Sequence, residues 1–166
     1  MRGQLRDAAS HHDVLPEGLV QRHVAESDVE LLGRLMADGY RGTMDDTGED
    51  DAWHHTEAAA TLQGHYGAVL WDASFVAVNG PQLAGTCLVT DGGSHLLLAF
   101  AIVVPEWRNR GVGAALIAES ARALLGASHV EWTLAVTDDN PARRLYERLG
   151  FVPDESLRRT SRDAGA

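Results

Sequence analysis

The spacing of apolar residues in the first half of the chain predicts two helices. Apolar side chains recur with the period of one helix face from Val29 to Tyr40. An Ala-rich stretch over residues 50–65 predicts a second helix, because alanine has the highest helix propensity. An acidic loop over residues 45–51 leads from the first helix into the second.

The pattern then changes to apolar runs separated by turn sequences, which predicts an antiparallel meander. The runs cover residues 74–78, 82–90 and 95–104. Asn79-Gly80 follows the first run and Asp91-Gly92-Gly93 follows the second, and these residues tolerate the positive φ of tight hairpin turns.

After the meander, helix and strand alternate. Residues 111–125 are predicted as a helix that Gly126 ends, and residues 130–136 as a strand. A strand–helix–strand crossover joins parallel strands, so the runs 95–104 and 130–136 should be parallel. The order of elements therefore indicates an α/β fold of the α+β type, with a mixed, mostly antiparallel sheet flanked by helices.

Three residues near the end of the chain indicate a further helix. Asn140 is a good N-cap, Pro141 suits the first helical position, and Gly150 suits the position after the helix. A short strand is predicted over residues 151–157.

We predict a single domain over residues 18–166, preceded by a loose tail over residues 1–17. The tail is polar, contains paired histidines and shows no apolar period. Residues 19–24 are the first predicted strand of the domain.

Charge is distributed unevenly along the chain. There are 24 acidic residues and 14 basic ones, all of them Arg, for a net charge of -10. Residues 1–100 contain 15 of the acids and five of the Arg, whereas residues 101–166 contain nine of each. The first part repels phosphates, and the chain has no basic stripe with interleaved aromatic residues, so no nucleic-acid partner is expected.

Composition also limits the compartment and the cofactor class. No apolar run approaches the roughly 18 residues of a membrane span, and the N-terminus has no apolar signal-peptide core. Cys87 is the only cysteine, which excludes an intrachain disulfide and a cysteine-based zinc cluster. We expect a cytoplasmic protein with no membrane partner and no metal.

Residues 103–116 carry the clearest chemistry. An apolar strand ends in a loop that contains Arg108 and Arg110, and Gly111 and Gly113 then open a helix. Glycines let a ligand approach the backbone, and a helix start offers unpaired N–H groups and a positive dipole end. This combination predicts an anion cradle and favours a pyrophosphate as the anion.

Two cofactor classes compete for such a loop. A dinucleotide-binding loop places G-x-G-x-x-G directly after its strand. Here the third position is Leu116, and the glycines follow the strand by six residues. The arrangement Arg108-x-x-Gly111-x-Gly113 instead resembles the pyrophosphate loop of the GNAT superfamily of N-acetyltransferases.

A second block supports the resemblance. The stretch from Asn140 through Tyr146 to Gly150-Phe151 is similar to the family's other signature, with one residue fewer between Asn140 and Ala142. The resemblance covers residues 72–153 and extends over residues 18–71 in the order of the elements.

The resemblance implies acetyl-CoA as co-substrate, held in a wedge where the two parallel strands splay apart. The pantetheine arm would pair with the backbone of Ala101, Ile102 and Val103. Arg108 and Arg110 would lie near the pyrophosphate, and Arg143 would reach the nucleotide phosphates. Asn140 would hold the pantetheine, cap its helix, or do both. Backbone N–H groups of the loop would bind the pyrophosphate: Asn109, Arg110, Gly111, Val112, Gly113 and Ala114.

The implied reaction is attack of a neutral amine on the thioester. Tyr146 stands where the family places the acid that protonates the leaving thiolate, a role that a phenol can fill. Many members carry a Glu on the meander strand, but here that position falls near Ala99, and residues 96–104 contain no titratable side chain. The base must therefore come from elsewhere or be solvent, and the candidates are Asp45, Asp46, Glu49, His54 and His55.

The negative charge of residues 1–100 favours a cationic or small-molecule amine as acceptor, because the family builds its acceptor side there. A homodimer is one assembly left open. A non-catalytic acyl-CoA sensor of the same fold is the alternative function, because the strand Glu is missing.

Overall fold

The computed structural model describes residues 1–156, which form an eight-stranded sheet and five helices. The strands are β1 Arg2–Gln4, β2 Val20–His23, β3 Ala68–Val69, β4 Phe75–Asn79, β5 Gln82–Asp91, β6 Leu96–Val103, β7 Glu131–Thr133 and β8 Phe151–Val152. The helices are α1 Leu5–Ala9, α2 Val29–Tyr40, α3 Asp51–Leu62, α4 Val112–Gly126 and α5 Arg143–Arg148.

The strands lie in the order β2-β4-β5-β6-β7-β1-β8, and β3 pairs with β5 outside this path. Every pair is antiparallel except β6 with β7, which is parallel. The two predicted turns produce the β4–β5–β6 meander, and α4 is the crossover between the parallel strands. The predicted fold class is confirmed.

The parallel pair is very short. β6 and β7 are in register only at Leu97 and Thr133. β7 ends there, whereas β6 continues to Val103. The two strands therefore diverge into a wedge that opens toward the start of α4.

Helices cover both faces of the sheet. On one face, Leu5 of α1 and Leu116 and Ile117 of α4 pack into a core with Trp132. On the other, residues of α2 and α3 pack against the meander strands, with Met36 among the most deeply buried. Burial of this kind supplies most of the stability of a small domain.

Two glycines let α2 approach its neighbours closely. A Cβ on Gly39 would overlap the Ile102 side chain of β6, and one on Gly33 would lie 2.8 Å from the Cα of His55 in α3. The absence of side chains at these two positions sets the distance of α2 from the sheet and of α3 from α2.

The prediction of a loose tail over residues 1–17 is wrong for its first part. β1 lies inside the sheet between β7 and β8, and Leu5 is fully buried. Gly3 makes this insertion possible, since a Cβ there would lie 2.9 Å from the Phe151 ring. The polar side chains around Leu5 conceal the element, because its apolar contacts all come from distant parts of the chain.

The later elements are shorter than predicted. β7 covers three of the seven residues in the predicted strand 130–136, and the predicted strand 151–157 forms only as β8, with position 157 outside the described residues. No helix in the described part of the chain has the length and apolar character that crossing a bilayer requires.

Candidate active site

A cavity of about 1330 Å³ occupies the wedge between β6 and β7 and extends beneath α2 and α3. One end is lined by the C-terminal half of β6, by the residues after β7 and by the start of α4. The opposite end is lined by side chains of α2, the acidic loop and α3. The cavity thus connects the glycine loop with the most acidic part of the chain.

Successive residues of β6 direct their backbone N–H and C=O groups to opposite sides of the strand. The N–H of Val104 donates to the Ala84 carbonyl at 3.0 Å, and the Ile102 carbonyl also points toward β5. Because successive residues of a strand direct their polar groups to opposite edges, Ala101 and Val103 direct theirs into the wedge. Of the three predicted strand contacts, the structure turns these two toward the cavity and directs the backbone of Ile102 toward β5.

The loop before α4 depends on two left-handed residues. Asn109 has φ of 58° and Gly111 has φ of 83°. Asparagine and glycine accept this conformation more readily than other residues do. The turn brings the first residues of α4 to the cavity wall.

The start of α4 offers free backbone donors. Its first intrahelical bond runs from the Ala115 N–H to the Gly111 carbonyl at 2.9 Å. The N–H groups of Val112, Gly113 and Ala114 therefore precede the helix ladder, and these residues line the cavity. This is the anion-binding arrangement that the sequence predicts.

Arg108 does not extend into the cradle as expected. Its Nε donates to the Val103 carbonyl at 3.1 Å, and its Nη2 donates to the Gly39 carbonyl. The guanidinium thereby clamps the end of β6 to the end of α2. Arg110 is exposed and lies over the Trp107 ring at 5.2 Å, so it is the arginine of the loop that faces solvent.

Arg143 is also held by protein groups. Its guanidinium donates to Asp138 at 2.7 Å and to Glu147 at 2.9 Å. Arg144 and Arg148 line the cavity instead. Their spacing of four places them on one face of α5, which is the sequence signal that could have identified them.

Asn140 makes two contacts with its side chain. Its Oδ1 accepts from the Ala142 N–H at 2.8 Å, and its Nδ2 donates to the Asp45 carboxylate at 2.6 Å. The prediction of Asn140 as N-cap and Pro141 as first helical residue is wrong, because α5 begins at Arg143 with Ala142 as its N-cap, and the first contact of Asn140 closes the turn before the helix. The second ties the acidic loop to the cavity rim from 95 residues away.

Tyr146 lies at the cavity wall, 8% exposed, with its ring 5.9 Å from that of Phe151. Burial, with smaller contributions from Cys87 and Asp45, raises the pKa of Tyr146 to about 12. Burial likewise raises the pKa of Tyr40, which lines the end of the cavity opposite the glycine loop. Both phenols therefore carry their protons at neutral pH.

The five candidates for a general base differ in whether they line the cavity. Asp45, Glu49 and His54 line the cavity, and Asp46 and His55 do not. Hydrogen bonds from the N–H groups of Gly42 and Gly48 hold the Asp46 carboxylate in its own loop and lower its pKa.

Within residues 1–156, no three His, Cys, Asp or Glu side chains come together as a metal site. The polar side chains that line the cavity include phenols, carboxylates, an imidazole and arginines.

A family model identifies the family of the chain. The model of the acetyltransferase (GNAT) domain matches residues 71–153, half of the chain. No curated protein matches the chain.

Solved structures share the fold at low identity. The PaiA N-acetyltransferase from Thermoplasma acidophilum, in complex with coenzyme A, has a TM-score of 0.67 and 16% identity, over 82% of this chain and 91% of that one. AAC(6')-Iy, in complex with a bisubstrate analogue of CoA and acetylneamine, has a TM-score of 0.57 and 22% identity, over 81% and 91%. A GCN5-related N-acetyltransferase from Sphaerobacter thermophilus has a TM-score of 0.64 and 19% identity, over 84% of this chain but 42% of that longer one.

The two loop arginines should differ in their effect on stability. Arg108→Ala should lower the free energy of unfolding by about 2 kcal/mol, because two backbone carbonyls lose a charged donor. Arg110→Ala, the matched control, should cost less than about 1 kcal/mol, since it removes only an exposed contact with Trp107. Urea denaturation measures both values, and equal losses would show that Arg108 is not a clamp.

Proposed function

The chain belongs to the GNAT family of acetyltransferases, and from this we propose that it transfers the acetyl group of acetyl-CoA to an amine of a small cationic acceptor. The observation that carries the proposal is the wedge between β6 and β7. It presents unpaired strand backbone along one side and the N-terminus of α4 at its end.

The cofactor would lie along β6 with its pyrophosphate at α4. The N–H and C=O groups of Ala101 suit the amides of the pantetheine arm. The Val103 carbonyl already accepts from Arg108, and the Val103 N–H remains for an oxyanion. The first N–H groups of α4 suit the pyrophosphate. Arg144 and Arg148 supply positive charge at the cavity wall and replace Arg143 in this role.

The reaction would proceed by direct attack. The amine nitrogen forms a bond to the thioester carbonyl carbon and loses one proton to a base or to solvent. The C–S bond breaks, and its electron pair leaves with the sulfur. A backbone N–H of β6 facing the wedge would stabilise the oxyanion. Tyr146 would donate to the developing thiolate, and its raised pKa keeps the donor protonated.

The acceptor end, which is the end of the cavity opposite the glycine loop, favours a cation. Asp45, Glu49 and Glu57 line it together with the rings of Tyr40 and Trp53. Carboxylates attract an ammonium group over several ångströms, and aromatic faces bind it through cation–π contacts. A diamine or polyamine would place one charged nitrogen among these groups and present another to the thioester.

Release of free CoA thiol from acetyl-CoA, measured across a panel of amines, tests the proposal. Cationic diamines should give the highest kcat/KM, which should fall with added salt as these charges are screened. An anionic amine as the best acceptor would contradict the acceptor class, and acetyl-CoA binding without turnover would indicate the sensor instead.

Two variants of α4, one near each end of the helix, test where acetyl-CoA binds, and titration with acetyl-CoA measures the affinity of each. Gly113→Asp places a carboxylate beside the proposed pyrophosphate site and should weaken acetyl-CoA binding by at least about 10²-fold. Gly126→Asp, at the open far end of α4, should bind acetyl-CoA like the wild type.

Replacement of Tyr146 by Phe should reduce turnover more than binding. The ring and its packing remain, but the proton donor is lost, so kcat at pH 7 should fall by about 10²-fold. The loss should shrink as pH rises toward the thiol pKa of about 8.5, where the thiolate leaves unassisted. Steady-state kinetics at several pH values measure this. A fully active Tyr146→Phe enzyme at pH 7 would limit Tyr146 to packing.

A further inference from the structure

His54 is a buried imidazole at the acceptor end to which the reaction above gives no role. Its side chain lines the cavity, although the residue is only 7% exposed. Its Nδ1 is enclosed and has no hydrogen-bond partner among residues 1–156. An unpaired buried polar atom costs about 1–3 kcal/mol, so its presence calls for a physical explanation.

The surroundings hold the ring in place. Asp50 caps α3 by accepting from the Trp53 N–H at 2.8 Å, which fixes the turn that carries His54. Gly33 lets α3 approach α2, and the imidazole then lies 6.0 Å from the Tyr40 ring and 5.2 Å from the Trp53 ring, centroid to centroid. This packing fixes the position of the imidazole at the cavity wall.

The other titratable groups at this end are already engaged. Asp45 accepts from Asn140, Glu49 accepts from Thr47, and Glu57 accepts from the Tyr66 hydroxyl at 2.5 Å. Tyr40 keeps its proton, because burial raises its pKa. These contacts leave the imidazole as the cavity group best placed to accept a proton.

The titratable groups around His54 come from three segments. Tyr40 lies on α2 and Glu57 one turn further along α3, and the acidic loop contributes Asp45 and Glu49, which line the cavity, and Asp46, whose charge interacts with His54. β6, on the other side of the cavity, contributes no titratable side chain. Imidazole is a common general base, so it can accept a proton from an amine.

Resting on the proposed function, we propose that His54 is the general base. As the amine nitrogen bonds to the thioester carbon, one N–H proton passes to the imidazole, while the electron pair of the breaking C–S bond goes to sulfur. His54 then returns the proton to solvent. This assigns to α3 the role that the missing acidic residue on β6 would otherwise fill.

Variants of the two adjacent histidines test the assignment. His54→Gln should lower kcat/KM for the best amine at pH 7 by at least about 10²-fold while acetyl-CoA affinity remains within about threefold. His55→Ala, the exposed neighbour on α3, should leave the rate within about twofold.

Two further readouts separate chemistry from structure. Free imidazole should restore part of the activity of His54→Ala, which loss of packing alone does not predict. In the wild type, kcat/KM should fall at low pH as the proton-accepting group becomes protonated. A profile without this fall overturns the assignment even if neither variant folds.

The outcomes for the two proposals are distinct. A wild type that releases no thiol with any amine overturns the proposed function. A wild type that turns over, with His54→Gln equally active and an unchanged pH profile, overturns the role of His54 alone.

Discussion

The single residue pair between β6 and β7 is the constraint on which the rest of the site depends. Backbone N–H and C=O groups need partners, and a strand that loses its neighbour exposes a row of them. After Leu97 and Thr133 the strands separate, and the C-terminal half of β6 has cavity, not strand, along that edge. An extended ligand carrying amide groups is the natural complement to such an edge.

The separation is held from both sides by contacts between distant segments. The N-terminus occupies the other edge of β7, where the Leu134 N–H donates to the Met1 carbonyl at 2.9 Å just as the wedge opens. On the opposite side, Arg108 joins the end of β6 to α2 through the Gly39 carbonyl. The wedge is therefore part of the folded framework, because both of its walls are hydrogen-bonded to segments that are distant in the sequence.

Local signals were sufficient for the elements that position the cradle. The turns at Asn79-Gly80 and Asp91-Gly92-Gly93 and the glycines before α4 act through backbone conformation, which their own residues determine. Long-range pairings have no such signature. For this reason the sequence predicts a loose tail where β1 forms. It also predicts Arg108 near a phosphate, although the Arg108 guanidinium donates to a carbonyl 69 residues away.

At the acceptor end, too, the sequence alone does not determine which individual side chains face the cavity. His54 and His55 are adjacent and chemically identical in the sequence, and only the packing of α3 on α2 turns one into the cavity and the other outward. The sequence likewise predicts Arg143 at the nucleotide phosphates, but its guanidinium is held by Asp138 and Glu147, and Arg144 and Arg148 line the cavity.

Backbone amide chemical shifts, recorded by NMR as CoA is added, test the central claim most directly. If the wedge holds the cofactor, the largest changes should fall at Ala101 and Val103 and at Val112, Gly113 and Ala114. The amides of Asp91 and His129, in the separate groove at the other end of the sheet, should change little. Saturable changes confined to that groove, with residues 101–103 and 112–114 unmoved, would contradict the account.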